Sequence, residues 1–207
     1  IVGGLVVLVI GAEALVRGAA WIAEALGIRP LVVGLTVVAI GTSAPELIVC
    51  LIAANQGETG LVIGNIFGSN TANIALILGV TAIVQPINAS NSRIRFEVLW
   101  LVAATALTFV AFINGEFSQQ LGALMAALII LFIVILVLRE RRSHPIRSSK
   151  KPDNPSAKQA LTHLVMTVGG GWLLYYGGQM LVLGATTVAK ELGMSPPVVG
   201  ATVIAIG

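Results

Sequence analysis

VVGLTVVAIG, Val32 to Gly41, returns as VVGATVIAIG, Val198 to Gly207. The correspondence extends backwards without a gap. GAEALVRGAAWIAEALGIRPLVVGLTVVAIG (Gly11–Gly41) and GGQMLVLGATTVAKELGMSPPVVGATVIAIG (Gly177–Gly207) share 17 of 31 positions. An offset that stays constant over that distance marks a duplicated unit, not a common apolar bias.

Composition says where the two copies reside. The chain has 207 residues, 57% hydrophobic and 10% charged, with a mean hydropathy of +0.97. Soluble domains carry about 25% charged residues. Apolar runs and the Gly, Pro and Asn breaks between them predict helices over about 1–26, 31–54, 61–84, 96–113, 118–138 and 161–192, with another starting near Pro196. Several reach the roughly 20 residues needed to cross a bilayer. Five helices separate the starts of the two copies, an odd number, so the second copy enters the membrane from the opposite side. The expected fold is all-α: a polytopic transmembrane protein of inverted-topology five-helix repeats, the second incomplete. The division is 1–138 for the first repeat, 139–158 for a basic loop and 159–207 for the start of the second. The counterpart of Thr42–Leu47 would follow Gly207, so the chain reads as a piece of a longer protein.

The remaining counts exclude other classes. One cysteine, Cys50, leaves no intramolecular disulfide. The first segment has no basic n-region and is too long for a signal core, so it reads as a retained helix. No nucleophile–base pair and no His cluster suggests an enzyme, and no cofactor is expected. The net charge of +3 concerns topology and lipid, not nucleic acid. With alternate connections assigned to alternate sides, one side receives Arg29, Arg93, Arg95 and the basic residues of RERRSHPIRSSKKPDNPSAK (Arg139–Lys158). The positive-inside rule makes that side cytoplasmic and starts Ile1 outside, in the cell (inner) membrane. Oligomeric state is not legible.

GTSAPEL, Gly41 to Leu47, interrupts the second helix. Pro45 lacks an N–H, so the Gly41 carbonyl is expected to lose its helical partner. In a bilayer, freed carbonyls are tolerated only against protein or a water-lined cavity. Thr42 and Ser43 add hydroxyl oxygens, and Glu46 adds a carboxylate within about one turn. Such hard oxygens suit Ca²⁺ and Na⁺. A carboxylate at membrane depth is costly unless compensated, which makes Glu46 a functional candidate; the bland alternative is a protonated Glu at a proline kink. The third helix, GNIFGSNTANIALILG (Gly64–Gly79), offers Ser69 and Asn73 on one face, four residues apart. Asn65 extends that stripe and reads as an interhelical hydrogen-bonding residue beside the close-approach pair Gly64 and Gly68. Glu13 and Arg17 read as a local ion pair, Cys50 as a small packing residue and His163 as an interfacial side chain.

GTSAPEL followed by GNIFGSNTANIALILG resembles the first α-repeat of the sodium/calcium exchanger branch of the cation/calcium exchanger superfamily, and is most similar to its prokaryotic members. The likeness covers essentially the whole chain. It implies an antiporter exchanging Ca²⁺ for Na⁺ by alternating access, with the first and sixth helices as sliding gates. It assigns Glu46 as a carboxylate shared by the Ca²⁺ and Na⁺ sites, Thr42 and Ser43 as neighbouring oxygen ligands, Ser69 as a Na⁺ ligand and Asn73 as the central polar position of the third helix. Ala39 and Ala205 become carbonyl donors by the same resemblance. Proton-coupled relatives carry a GNAVE-like motif where this chain has GTSAPE, which favours sodium. The alternatives are a proton-coupled or K⁺-dependent cation exchanger, or a non-transporting membrane scaffold.

Overall fold

The computed structural model describes residues 1–28, 30–87, 92–113, 115, 117–143 and 156–205. In chain order they form α1 (Val2–Ala25), α2 (Pro30–Val33), a π-helical segment (Gly34–Val38), α3 (Ala39–Thr42), α4 (Ala44–Asn55), α5 (Thr59–Thr71), a second π segment (Ala72–Leu78), α6 (Gly79–Val84), α7 (Ser92–Ile113), α8 (Gln119–Ser143), α9 (Ala157–Leu192), α10 (Pro196–Val199) and a third π segment (Gly200–Ile204). Four helices have the length and apolar composition to cross a membrane: Val2–Ala25, Thr59–Val84, Arg95–Ile113 and Gln119–Arg139. A fifth span is the bent pair Thr36–Thr42 and Ala44–Asn55. The chain is an all-α polytopic membrane protein. The centre of the basic stretch, 144–155, lies outside the described residues, as does Arg29.

The chain separates into two compact units, Ile1–Ile83 with Ser148–Gly207, and Val84–Arg147. In the first, α1 packs along α9, and the fit depends on glycine. Gly4, Gly11 and Gly18 recur every seven residues on α1, as do Gly170, Gly177 and Gly184 on α9. A Cβ added at Gly11 would meet Leu174 N at 2.7 Å and Gly170 O at 2.9 Å. One added at Gly177 would meet Leu8 N at 2.7 Å and Gly4 O at 3.0 Å. The low end of α1 thus faces the high end of α9, so the two helices run antiparallel, backbone against backbone. Small residues give such contacts in membranes, where lipid is as apolar as leucine and only close packing distinguishes a partner. Leu8, Leu174, Leu181, Val182 and Ala185 fill the seam and continue into Val49, Ile52 and Ala53 of α4, Leu61 of α5, and Val199 and Ile204 of the α10 region.

The glycine seam sets up a paired test. Gly122 of α8 has open space where its Cβ would be. Gly122→Ala is therefore expected to leave the unfolding temperature unchanged or raise it, by up to about 1 kcal/mol of helix propensity. Gly11→Val is expected to destabilise by about 1–3 kcal/mol through overpacking. Thermal unfolding in detergent reads both, and equal effects at the two positions would count against the seam.

The ends of α9 follow from sequence. Ser156 and Gln159 form a reciprocal capping box, with Oγ of Ser156 accepting from the Gln159 amide at 3.2 Å and Oε1 of Gln159 accepting from the Ser156 amide at 3.1 Å. Gly193 closes the other end at φ 61 in the left-handed region. At 36 residues, α9 runs about 54 Å, more than a bilayer core.

The two sequence copies fold alike locally. Pro30–Val33 and Pro196–Val199 are short α-helices, and Gly34–Val38 and Gly200–Ile204 are the π segments that follow. Thr36 donates its hydroxyl to the Val32 carbonyl at 2.6 Å, and Thr202 donates to Val198 at 2.7 Å. The sequence predicted plain helix there. A π turn widens the backbone ladder by one residue, and each threonine hydroxyl gives the carbonyl four residues back an added donor.

In the second unit, Phe96, Trp100 and Phe132 cluster with ring centroids 5.6–6.2 Å apart. The Arg139 guanidinium lies 4.1 Å over Phe96. Most large apolar side chains of α7 and α8 are exposed, among them Leu99, Leu101, Ile129 and Ile130. Such a surface would aggregate in water and costs nothing against lipid tails.

Candidate cation site

The second span breaks at Ser43. Its backbone (φ −93°, ψ 1°) belongs to neither flanking helix, and the segments Thr36–Thr42 and Ala44–Asn55 meet there at a 47° bend. Gly41 is buried against Val16 of α1. Pro45 sits in the first turn of α4, where its missing N–H leaves no acceptor wanting. The end of α3 is closed by backbone N–H groups that bond to the Ile40 and Gly41 carbonyls. The expected orphan carbonyl at Gly41 is therefore paired; a tight turn at Ser43 recovers the bond that Pro45 cannot make.

This geometry puts Glu46 in the first turn of α4, where the helix dipole favours a negative charge. Glu46 is half-buried, and its Oε2 is fully shielded with no hydrogen-bond partner among the described residues. Across the α4–α5 contact lies Asn65, 1% exposed and the buried polar side chain among the described residues. Its Nδ2 donates to the Glu46 main-chain carbonyl at 3.5 Å and to Cys50 Sγ at 3.2 Å. Its Oδ1 is the second shielded oxygen without a partner. A buried acceptor left unpaired costs about 1–3 kcal/mol, and a charged one more. The two oxygens belong to facing helices, Glu46 to α4 and Asn65 to α5.

The other expected ligands lie around this pair with different surroundings. The Thr42 hydroxyl donates to the Ala39 carbonyl at 3.0 Å, so that carbonyl already has one donor. Ser43 is exposed at the bend. On α5, Ser69 stands one turn beyond Asn65 and donates to its own helix at Ile66 O, 3.3 Å away. Asn73 is exposed within the second π segment and makes no side-chain hydrogen bond among the described residues. Ala205 ends the third π segment and packs on Gly68, whose added Cβ would meet the Ala205 Cβ at 2.7 Å. The structure thus joins Glu46 to Asn65, and Ala205 to the Ser69 turn. It draws no hydrogen bond between Thr42 or Ser43 and Ser69 or Asn73. No group of three or more His, Cys, Asp or Glu side chains gathers among the described residues. A cation here would meet one carboxylate and neutral oxygens, the set hard cations accept.

Asn65 makes the interhelical hydrogen bonds that the sequence suggested. Its amide does bridge two helices, but its oxygen remains unspent. The signal was the i, i+4 spacing of Asn65, Ser69 and Asn73. Glu13 and Arg17 form the expected ion pair, both largely exposed. His163 stacks on Trp21, with centroids 4.1 Å apart, and its ring Nδ1 lies 2.8 Å from the Gln159 carbonyl.

Known proteins resemble this chain along its whole length. Residues 1–139 match the family described as "Sodium/calcium exchanger protein". A protein of Alkalimonas amylolytica named "Putative antiporter CaxA" is 37% identical over 207 residues, 99% of this chain and 65% of that protein. "Inner membrane protein YrbG" of Escherichia coli is 30% identical over 99% of this chain and 64% of its own length. "Sodium/calcium exchanger MaX1" of Methanosarcina acetivorans is 42% identical over 111 residues, 54% of this chain and 32% of that protein. The chain spans about two thirds of the length of the first two relatives, 65% and 64%. No solved structure matches.

Proposed function

This chain belongs to the sodium/calcium exchanger protein family, and on that premise we propose that it forms the greater part of a secondary active antiporter that exchanges Ca²⁺ for Na⁺ across a membrane. The observation that carries the reading is the shielded, unpartnered Oε2 of Glu46 at the mouth of a broken transmembrane helix. An intramembrane carboxylate is tolerated when a cation or proton matches it.

The site comprises Glu46 with oxygens from Thr42, Ser43, Ser69 and Asn73 and the carbonyls of Ala39 and Ala205. Ca²⁺ and Na⁺ compete for them. The antiparallel course of α1 and α9 supports an inverted second copy, and their shared glycine seam supports sliding of these helices past the site as access alternates. Broken helices of the two halves meet near the midplane in such folds, and the α10 region packs on α5 beside Asn65 as that arrangement requires. The basic stretch around Arg139–Lys158 faces the cytoplasm by the positive-inside rule, with Ile1 on the opposite side. Sodium as the coupling ion is supported by GTSAPE and by the likeness to MaX1.

The test is ⁴⁵Ca²⁺ uptake into vesicles holding the full-length protein, with Na⁺, K⁺ and pH gradients imposed separately. An outward Na⁺ gradient is expected to drive uptake on its own. Uptake driven only by a pH gradient, or only with K⁺ present, would reassign the coupling ion. No uptake under any gradient would leave a membrane scaffold.

A further inference from the structure

Asn65 is held more tightly than its hydrogen bonds explain. Gly64 and Gly68 press α5 against the third π segment, and a Cβ at Gly200 would meet the Asn65 backbone nitrogen at 3.0 Å. The residue therefore stands where α4 and α5 meet the α10 region and its π segment. Yet its own bonds are weak: a 3.5 Å contact to the Glu46 carbonyl and a thiol acceptor at 3.2 Å. A side chain serving only to clasp two helices would use both ends of its amide. Here the oxygen end, in a residue 1% exposed, has no donor among the described residues. Glu46 Oε2 lacks one too, and Asn65 touches the backbone of that same residue.

We propose that Asn65 is a selectivity-determining residue of the Glu46 cation site: its Nδ2 holds the Glu46 turn of α4 against α5, and its Oδ1 supplies a neutral oxygen to the cation bound there. The proposal rests on the reading of Glu46 given above. A hard cation such as Ca²⁺ or Na⁺ held between α4 and α5 would give each unpaired oxygen a partner, and an amide oxygen is an ordinary ligand for either. A neutral oxygen at this position keeps the charge of the site low enough that monovalent Na⁺ can compete with Ca²⁺.

The experiment measures Ca²⁺ half-saturation and Na⁺ half-inhibition of uptake by the full-length protein in vesicles, alongside its unfolding temperature with and without Ca²⁺. Asn65→Leu keeps the volume and removes both polar ends. It is expected to raise the Ca²⁺ half-saturation about tenfold and to shrink the Ca²⁺-dependent rise in unfolding temperature, measured from the variant's own ion-free value. Asn65→Asp adds a charge beside Glu46. It is expected to shift the ratio of Na⁺ to Ca²⁺ half-effect concentrations about fivefold or more toward Ca²⁺. If Asn65→Leu does not reach the membrane, the ratio in Asn65→Asp decides alone. Variants that lower stability or maximal rate while leaving both half-effect concentrations at wild-type values overturn the proposal and leave Asn65 as a helix clasp. Glu46→Gln serves as the control. If it still transports, the cation-site reading of Glu46 fails. If it does not, and the Asn65 variants match wild type in both constants, only the role given to Asn65 fails.

Discussion

Replacing Glu46 by Gln is expected to abolish sodium-driven Ca²⁺ uptake while leaving the protein folded. The substitution keeps the shape of the side chain and removes its charge. The carboxylate sits in the first turn of α4 with one oxygen shielded and unpaired. Removing one member of a buried charge pair costs about 3–5 kcal/mol. At 1.4 kcal/mol per tenfold, that lowers cation affinity by about 10² to 4 × 10³. The same argument fixes the stability result. Without ions, a shielded carboxylate oxygen is a liability, so Glu46→Gln should melt no lower than wild type in ion-free buffer. Added Ca²⁺ should raise the unfolding temperature of wild type, because a ligand that binds only the folded state stabilises it by mass action. The variant should show no such rise. Uptake near the wild-type rate, or an undiminished Ca²⁺ response in unfolding, would remove Glu46 from the site.

Gly64→Val is the second large effect, and it acts through packing. At Gly64, an added Cβ would run into the Pro197 carbonyl oxygen, and it would lie 2.9 Å from Ala201 N and 3.0 Å from Gly200 Cα. Every one of these atoms is backbone, so no side-chain rotation relieves the clash. The helices must separate. Overpacking of that kind costs about 3 kcal/mol at the upper end of its usual range. For a chain of this size that is a fall of about 6–12 °C in unfolding temperature. Separation also carries Asn65, the next residue, away from Glu46. Uptake should therefore drop together with stability, and lowering the assay temperature should restore folding without restoring Ca²⁺ half-saturation. A Gly64→Val protein with wild-type melting and uptake would mean that α5 and the α10 region do not meet as described. Gly79, on the continuation of the same span, has open space at its Cβ position, so Gly79→Ala supplies the comparison.

Much of the fold was readable because the membrane leaves few choices. Runs of apolar residues cannot satisfy their backbone groups in lipid except as helices. The span 59–84, the helix ending near Leu192 and the break within GTSAPEL were all visible as composition. The Glu13–Arg17 pair was visible as spacing. What escaped was detail that lies between helices. The π segments were hidden because a shifted hydrogen-bond ladder leaves no mark on apolar sequence. Pro45 drew attention to the Gly41 carbonyl, but the bend falls at Ser43, where a tight turn pairs that carbonyl. Asn65 looked like an ordinary interhelical amide until its oxygen proved to be shielded and without a donor.

The sequence by itself determined that this is a helical membrane protein with a duplicated segment and a carboxylate at a helix break, since each of these depends on residue type and order alone. Tertiary structure decided which oxygens share a neighbourhood. In a chain apolar on every face, periodicity cannot say which helix touches which. That choice is made by backbone contact at Gly11, Gly177, Gly64 and Gly200, where the lack of a side chain lets two helices approach. Those approaches set α1 against α9 and α5 against the α10 region, and the Asn65 side chain then reaches α4 at the Glu46 carbonyl and Cys50 Sγ.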